Sequence, residues 1–465
     1  APVNYEIQVA DDAAFTAIVD TDTIGLPRYV HDQPFAEGNY YWRVRSVTDA
    51  GRTSAWSTVS TFTIAPHDET VTVATNSTDA VLEAVAQTAA FAGQGKSVKL
   101  VFPAGDYTFT DTTIDTLIEL DGVTNVAVDG TGAHLHFVSR KQSLISSEGS
   151  TNVSVSGFKI TYATGALRIQ GYVTAVDAPS KTVTLSIESG YPDFTASGSL
   201  ASDIFLLLDP TIDGRQKTGS VSFYRMVPNG YSQNPDGTWS VTLDRDSIPE
   251  WEVGDRFVFH FRSGSWVTTR FDESQAVTLY GLEIGGWGNM IIGSTHGSLI
   301  NVLNINTFFQ KNKWMVGNAD GVHLRGNTIG PWIENTVIQG NGDDGIALYA
   351  RPASMTAAKP RSEQNAAVFR QDHFNLEPGN EVAFFEPLTG TILLETRVVS
   401  VVEQGGEQSS TWLVHFENDL PDGMNFSGDL VNVTQVWNRS KSCGDFMIRN
   451  GKMTNNRRYA IVQRA

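Results

Sequence analysis

Short runs of alternating polar and apolar residues, separated by glycine, asparagine, aspartate and proline, recur along much of the chain. Alternation with a period of two is typical of β-strands that bury one face. The first such runs lie at residues 5–9, 41–47 and 60–64. Because short turn-forming segments connect them, they predict a small antiparallel β-sandwich over residues 1–66.

The pattern changes at residues 79–91, where apolar residues recur at helical spacing. Serine, threonine and aspartate side chains just before this stretch are suitable N-caps, and Gly93 follows it, so we predict one amphipathic helix. A strand and turn with the sequence FPAGDY come next, at residues 102–107. A helix in this place would cover the open end of a stack of strands, which is otherwise free to pair with another chain.

Short β segments separated by glycine, asparagine and aspartate then follow between residues 118 and 155 and again between 277 and 338. Two stretches, at about 168–262 and 353–432, break this rhythm with longer, hairpin-like strands. We therefore predict an all-β chain, with a parallel β-helix over residues 67–465 and two small β-barrel-like inserts. The last residues still have the pattern of a mid-solenoid coil, so we expect a truncated C-terminus.

Two Asp-Gly segments lie one short step apart in the predicted β-helix. Residues 318–324 read NADGVHL and residues 342–348 read GDDGIAL. Aligned on Asp-Gly, Asp344 follows Asp320 by 24 residues, a length that suits one coil of a parallel solenoid. Equivalent positions in neighbouring coils stack at about 4.8 Å, so Asp320, Asp343 and Asp344 should meet on one face.

Crowded carboxyl groups are difficult to keep ionised together, and folds tolerate them mainly where chemistry needs an acid and a base. Glycoside hydrolysis needs one carboxyl group to protonate the leaving oxygen and another to activate water or attack carbon. We therefore predict that Asp320, Asp343 and Asp344 are catalytic. Two other interpretations stay open, namely a ladder of aspartates that cap backbone amides in turns, and a calcium site built from the same oxygens.

Several side chains near this trio are candidates for contact with a sugar. Aromatic rings stack on sugar faces but also fill solenoid cores, and histidine or arginine can bind hydroxyl groups or serve as ordinary surface groups. The candidate substrate-binding residues are Asn318, His323, Trp287, His296, Trp314, Tyr349, Arg457 and Arg458. We predict no metal ligands and no cofactor.

Composition excludes some classes of binding partner. The formal net charge is −18 and no run of lysine or arginine is present, which argues against a nucleic-acid partner. No segment approaches the roughly 20 apolar residues that span a bilayer, so no membrane partner is expected. Cys443 is the only cysteine and cannot form an intramolecular disulfide. A poly- or oligosaccharide is the partner that we predict, and the oligomeric state stays open.

Parts of the sequence resemble known families. Residues 40–57 resemble a fibronectin type III module, with the run YYWRVR followed by a glycine and a Trp-Ser pair. The helix followed by FPAGDY resembles the N-terminal cap of pectin-lyase-like right-handed β-helices. The NADG and GDDG segments are similar to the aspartate motifs of polygalacturonase-type hydrolases. Residues 100–465 are more similar to the α-1,3-galactosidases of glycoside hydrolase family 110, which share a late Asn-Asn-Arg-x-Arg-like segment, here at 455–458.

These resemblances imply a secreted, periplasmic or cell-surface bacterial hydrolase that cleaves an α-linked, galactose-containing glycan with inversion. One of the paired aspartates would be the general acid, and the other two aspartates would position or activate water. The Gly-His-Gly and Arg-Ile-Lys segments of polygalacturonases do not occur after Asp344, which disfavours a galacturonate substrate. Alternatives are an α-1,3-glucanase, whose bacterial β-helix group has similar aspartate spacing, a polygalacturonase-like hydrolase, a calcium-dependent polysaccharide lyase, and a non-catalytic glycan-binding solenoid.

Overall fold

The computed structural model is built almost entirely from β-strands. It describes residues 3–196, 203–245, 248–262, 267–353, 355–357, 364–370, 375–404, 411–425 and 433–464. Within these ranges the single α-helix is Thr78–Ala92, and short 3-10 turns occur at Phe194–Ala196 and Arg439–Lys441. The helix begins where the sequence predicts, because the Ser77 hydroxyl accepts a hydrogen bond from the Ala80 amide. No helix among the described residues has the length and apolarity to span a membrane.

Three parallel sheets form a β-helix, and each coil contributes one strand to each sheet in turn. Sheet 1 contains Glu69–Thr72, Val98–Val101, Thr124–Asp129, Thr151–Ser156, Gln275–Tyr280, Ser298–Leu303, Trp332–Glu334 and Met447–Arg449. Sheet 2 contains Gly105–Phe109, Ala133–Phe137, Lys159–Tyr162, Glu283–Ile284, Asn306–Thr307, Val337–Gln339 and Lys452–Thr454. Sheet 3 contains Thr116–Glu119, Ser143–Glu148, Thr269–Asp272, Ile292–Thr295, Val322–Arg325, Ile346–Tyr349 and Ile461–Arg464. The predicted parallel β-helix is confirmed.

The register of sheet 3 contains the 24-residue step predicted from the Asp-Gly repeat. Val322 pairs with Ile346, and Leu324 pairs with Leu348. These four side chains are at most 1% exposed and belong to one continuous core. Burying an aliphatic side chain of this size contributes about 1.5–3 kcal/mol, so a shift of one residue, which would turn these side chains outward, is strongly disfavoured.

The helix Thr78–Ala92 lies against the first strands of the solenoid. Its buried face, which includes Val81 and Val85, joins the same core as the strand Val98–Val101. The strand Glu69–Thr72 pairs in parallel with Val98–Val101. Helix and strand together begin the solenoid, as the predicted cap requires.

The N-terminal region forms a four-stranded antiparallel sheet that contacts the solenoid. Its strands are Val3–Ala10, Ile18–Ile24, Gly38–Thr48 and Ser60–Ile64. A complete sandwich has two sheets, whereas the described residues before 67 contain one. The Arg28 guanidinium donates to the Gly330 carbonyl across 2.9 Å, and Ile24 packs in a cluster with Leu303 and Trp332. The fibronectin type III resemblance and the boundary at residue 66 stay predictions.

Two six-stranded antiparallel sheets, each with a hydrophobic core of its own, interrupt the coils. Insert 1 contains Arg168–Asp177, Thr182–Ile187, Ile204–Leu208, Met226–Gln233, Trp239–Leu243 and Arg256–His260. Insert 2 contains Met355–Ala357, Ala366–Arg370, Glu381–Glu386, Thr391–Gln404, Thr411–Phe416 and Gln435–Asn438, so its sheet ends six residues beyond the predicted limit. Closure of either sheet into a barrel stays a prediction.

Candidate active site

The predicted catalytic residues lie in the turns that lead from sheet 2 to sheet 3. In one coil this turn carries Asp320, in the next it carries Asp343 and Asp344, and in the last it carries Arg457 and Arg458. Insert 1 leaves the solenoid at the same turn of an earlier coil. The site therefore forms where four structurally equivalent turns meet.

Glycines allow these turns to stack closely. A Cβ atom on Gly321 would lie 2.5 Å from the Gly345 carbonyl oxygen, and one on Gly345 would lie 2.5 Å from the Ala460 oxygen. The Gly321 amide donates to the Asp344 carbonyl across 3.0 Å, and the Gly345 amide donates to the Tyr459 carbonyl across 2.8 Å. The repeated Asp-Gly pattern thus reflects the close approach of backbone in successive coils.

The structure brings the three aspartates together. One carboxylate oxygen from each of Asp320, Asp343 and Asp344 lies within 4.8 Å of the others. All three residues are buried, with exposures of 6%, 7% and 1% in that order. The Asp344 amide donates to Oδ1 of Asp320 across 3.0 Å, so the two coils are joined at the site itself.

Asp343 is surrounded by three arginines. Nη2 of Arg262 lies 2.9 Å from its Oδ2, while Nη2 of Arg457 and Nη1 of Arg458 lie 3.1 and 3.3 Å from its Oδ1. Burial acts to raise the pKa of Asp343, but the arginines outweigh burial and hold that pKa below its ordinary value. The three arginines therefore hold Asp343 as a carboxylate.

Asp344 accepts hydrogen bonds at both oxygens. The Tyr349 hydroxyl donates to Oδ2 across 2.9 Å, and the Tyr459 amide donates to Oδ1 across 3.1 Å. Nε of Arg458 lies 3.8 Å from the same Oδ1. The Asp344 carboxyl group is thus held by a side chain of its own coil and by the backbone of the next coil.

Asp320 has a different partner. Its Oδ2 lies 2.6 Å from Nδ1 of His323, and the His323 ring lies 5.0 Å from the Tyr349 ring. An imidazole nitrogen can donate or accept, so this contact is compatible with a proton on either Asp320 or His323. Asp320 thus differs from Asp343, whose contacts are guanidinium groups, because its imidazole partner can accept a proton as well as donate one.

Two predicted binding residues have no exposed surface. Trp287 lies beneath Gly317, where an added Cβ would come within 1.8 Å of the indole. Asn318 donates to the Leu167 carbonyl across 2.6 Å, and its Oδ1 lies 2.6 Å from Nδ1 of His260 in insert 1. Neither side chain can touch a sugar in this structure, so both position the site turn rather than contact a substrate.

Two other candidates lie away from the trio. Trp314 is 7% exposed and packs under insert 1, with the Arg256 guanidinium 4.0 Å from its ring centre. His296 follows the sheet 3 strand Ile292–Thr295, whereas the aspartates precede theirs, and it lies two coils before Asp344. The structure therefore places neither residue beside the trio, since Trp314 packs against insert 1 and His296 lies at the opposite end of its strand, and their contact with a sugar stays a prediction.

Three further contributors were missed from sequence. Arg262 comes from insert 1, and His260 joins the same insert to Asn318. Asn341 is fully buried and donates to the Asp344 carbonyl across 2.6 Å, which fixes the turn that carries the paired aspartates. The position of Asn341 directly before Gly-Asp-Asp in the sequence could have indicated its role. No local sequence pattern indicates a role for Arg262.

The trio has the donor atoms of a divalent cation site, since hard cations prefer carboxylate oxygens. However, both oxygens of Asp343 already contact guanidinium groups. Three fixed positive charges would repel a cation at this place. The residues present therefore do not fit a resident calcium ion.

Comparisons with known proteins give the following findings. No protein-family model matches the chain, and no curated protein matches it. The solved structure of a family 28 exopolygalacturonase from Yersinia enterocolitica aligns with 76% of this chain and 61% of its own, at 10% identity and a TM-score of 0.37. The tailspike protein gp49 from Pseudomonas phage LKA1 aligns over 57% of this chain and 37% of its own, at 17% identity and a TM-score of 0.16. Likenesses this weak do not bear on the activity of this chain, and the strand registers establish its parallel β-helix.

Proposed function

We propose that this protein is a glycoside hydrolase with Asp320, Asp343 and Asp344 as its catalytic carboxyl groups. The observation that carries the proposal is the approach of three carboxylate oxygens to within 4.8 Å in three different electrostatic surroundings. Groups of one chemical type whose environments separate their protonation states are the usual means of dividing acid and base roles. The substrate is an α-linked glycan, and galactose is the sugar that the sequence resemblance implies.

Asp343 and Asp344 act together on the attacking water. Asp343 orients the water as a hydrogen-bond acceptor, and Asp344 takes one proton from the water as the new bond to carbon forms. Two acceptor oxygens less than 4.8 Å apart can share one water at ordinary hydrogen-bond lengths of about 2.8 Å. The water attacks the anomeric carbon as the glycosidic oxygen leaves with the proton of the general acid, which gives the inverted configuration that the sequence resemblance implies.

Asp320 is the general acid. Its carboxyl proton passes to the leaving glycosidic oxygen, while His323 holds the side chain in place through Nδ1. This assignment differs from the one that the sequence resemblance implies, in which a member of the Asp-Asp pair gives the proton. The three arginines around Asp343 disfavour that member of the pair as the acid, and we assign Asp320 rather than Asp344 because its partner His323 can supply a proton.

Groups at the surface offer a place for the sugar. The side chains of Arg262 and Arg458 are 26% and 35% exposed and lie over the carboxylates. Tyr459 is 50% exposed, next to the arginine that contacts Asp343, and its amide bonds Asp344. An exposed ring beside hydroxyl-binding guanidinium groups suits a stacked sugar. Because polymeric substrates do not cross membranes, we propose that the protein acts as a secreted, periplasmic or cell-surface enzyme.

The test is a screen of the purified protein on galactans, carrageenans, pectins and α-glucans, with detection of released sugars. Asp320→Asn, Asp343→Asn and Asp344→Asn should each remove nearly all release, while thermal melting shows that each variant is folded. Full activity in all three variants would exclude the proposal. An unsaturated product that absorbs in the ultraviolet would assign the trio to a lyase instead.

A second candidate is a non-catalytic glycan-binding solenoid. Its specific support is the burial of the trio, because exposures of 1–7% and contacts with three arginines also suit a structural ion cluster. In that case the protein binds members of a glycan array and releases no product from any of them. The three asparagine variants would then lower the melting temperature and leave glycan binding intact.

A further inference from the structure

Arg168, the first residue of insert 1, is a buried cation without a carboxylate partner. It is 4% exposed, and its Nη2 donates to the Val316 carbonyl across 2.7 Å. Its Nε and Nη1 have no hydrogen-bond partner among the described residues, nor does any described acidic side chain form an ion pair with it. Leaving charged donors buried and unpaired is costly, so this environment calls for an acceptor.

A second cation lies on the same small cavity. The ammonium group of Lys313 donates to the Tyr162 carbonyl and to Oε1 of Gln310, across 2.5 and 3.0 Å. Burial, with a contribution from Arg168, lowers the pKa of Lys313 to about 8. Each cation makes the charged form of the other less favourable, so the electrostatic potential in this buried place is positive.

The cavity has room for one small species. Its volume is about 10 Å³, close to the minimum that holds one water molecule, so a halide ion enters only with a small outward shift of a flexible wall side chain such as Lys313 or Gln310. Its wall combines the two cations with the Tyr191 ring, the Gln310 amide and apolar groups.

One acidic group, Glu188, acts on the Tyr191 ring of this wall and, within the described residues, makes no ion pair with either cation. Glu188 influences Tyr191, but its Oε2 accepts a hydrogen bond from Gln170 across 2.6 Å. In the described part of the chain, no ion pair joins Glu188 to Arg168 or Lys313. Neither cation is therefore paired with a carboxylate in the part of the chain that the structure describes.

We propose that the cavity between Arg168 and Lys313 binds one small monovalent anion, chloride under ordinary conditions. The anion accepts from Nε or Nη1 of Arg168 and faces the Lys313 ammonium group. Arg168 also holds the Val316 carbonyl, which opens the segment that leads to Asn318 and Asp320. Anion binding therefore stabilises the root of insert 1 and the turn beneath the trio.

The test compares thermal melting in sodium chloride, sodium bromide and sodium gluconate at equal ionic strength. Gluconate is too large for the cavity, so we expect both halides to raise the melting temperature by about 2 °C, with saturation. A crystal grown in bromide should show an anomalous peak within hydrogen-bond distance of the Arg168 guanidinium. Equal melting in all three salts, with water in the cavity, would overturn the proposal.

Two variants separate the anion from general stability. Arg168→Met should abolish the difference between the halides and gluconate, and Lys313→Met serves if that variant does not fold. Arg256→Met is the matched control, because Arg256 is also a buried arginine of insert 1 but is paired with Asp213 across 2.6 Å. It should lower the melting temperature and keep the halide effect. If Arg256→Met lost the halide effect while Arg168→Met kept it, an anion site at Arg168 would be excluded.

Discussion

Nη2 of Arg262 lies 2.9 Å from Oδ2 of Asp343, although 81 residues separate the two in the sequence. One belongs to the end of insert 1 and the other to a turn of the solenoid. The insert thus supplies a charge to the carboxylate trio as well as a wall beside it. Because of this contact, the charge around the three aspartates depends on the position of insert 1 against the solenoid.

Replacing Arg262 should therefore change the pH dependence of activity. In Arg262→Gln the carboxylate of Asp343 loses one of three cations, so its pKa rises toward the ordinary value. The acidic limb of the kcat/KM profile should move to higher pH, with a lower maximum. Arg397→Gln removes an exposed arginine of insert 2 and should leave the profile unchanged. An unshifted acidic limb in Arg262→Gln would show that Asp343 does not govern it.

The proposed role of Asp320 gives His323 a measurable effect. His323→Ala removes the group that lies 2.6 Å from Oδ2 of Asp320, so proton transfer to the leaving group should slow. Because general acid catalysis contributes about 10²–10⁴-fold, we expect kcat to fall about 10²-fold with little change in KM. His415→Ala, in insert 2, is the control. A rise in KM with unchanged kcat would mean that His323 binds the sugar instead.

The Asp343 ion cluster should also stabilise the fold above acidic pH. A carboxyl group whose folded-state pKa is lowered stabilises the protein above its unfolded-state pKa of about 3.9, and this stability is lost as pH falls through the folded-state pKa. Urea unfolding should show Asp343→Asn less stable than the unsubstituted protein at pH 5–7. The difference should shrink progressively below about pH 4.

The matched control for this measurement is Asp106→Asn, whose side chain is 86% exposed in the native protein. That variant should unfold close to the unsubstituted protein throughout the series. A difference for Asp343→Asn that stays constant down to pH 2 would contradict the lowered pKa.

Gly317 lies in the stacked turns beneath the three aspartates, and these turns leave no space for a side chain at this position. A Cβ there would meet the Trp287 ring at 1.8 Å, so Gly317→Ala should destabilise the fold by about 1–3 kcal/mol or more. Gly444→Ala is the matched control, because its Cβ would meet the Ser442 hydroxyl at an ordinary 3.6 Å. Thermal melting measures both variants. Equal melting of the two would mean that the indole moves at little cost.

The solenoid could be predicted from the sequence because each coil is specified by a short, local pattern of residues. The 24-residue step between Asp320 and Asp344 reappears as the pairing of Val322 with Ile346, since a repeated Asp-Gly-apolar pattern places the same side chains inward in each coil. The helical cap was equally visible in the spacing of apolar residues. The site residues within those turns could therefore be placed together before the structure was known.

Contacts made by the inserts were not predictable in this way. Arg262 contacts Asp343 because the last strand of insert 1 brings the chain back to the solenoid beside the turn that carries Asp343. No regular spacing in the sequence relates these two positions. Trp287 and Asn318 lie close to the trio in sequence but face inward, and a turn pattern does not state which side chains it buries. His296 occupies the other end of a strand, which residue type alone cannot reveal.

The most direct test of the central claim is the anomeric configuration of the sugar released from an α-linked galactan, followed by proton NMR during the first turnovers. The account predicts that the unsubstituted protein releases a β-configured product and that folded Asp320→Asn, Asp343→Asn and Asp344→Asn release almost none. Binding of the glycan without any product, or full release by all three variants, would contradict it.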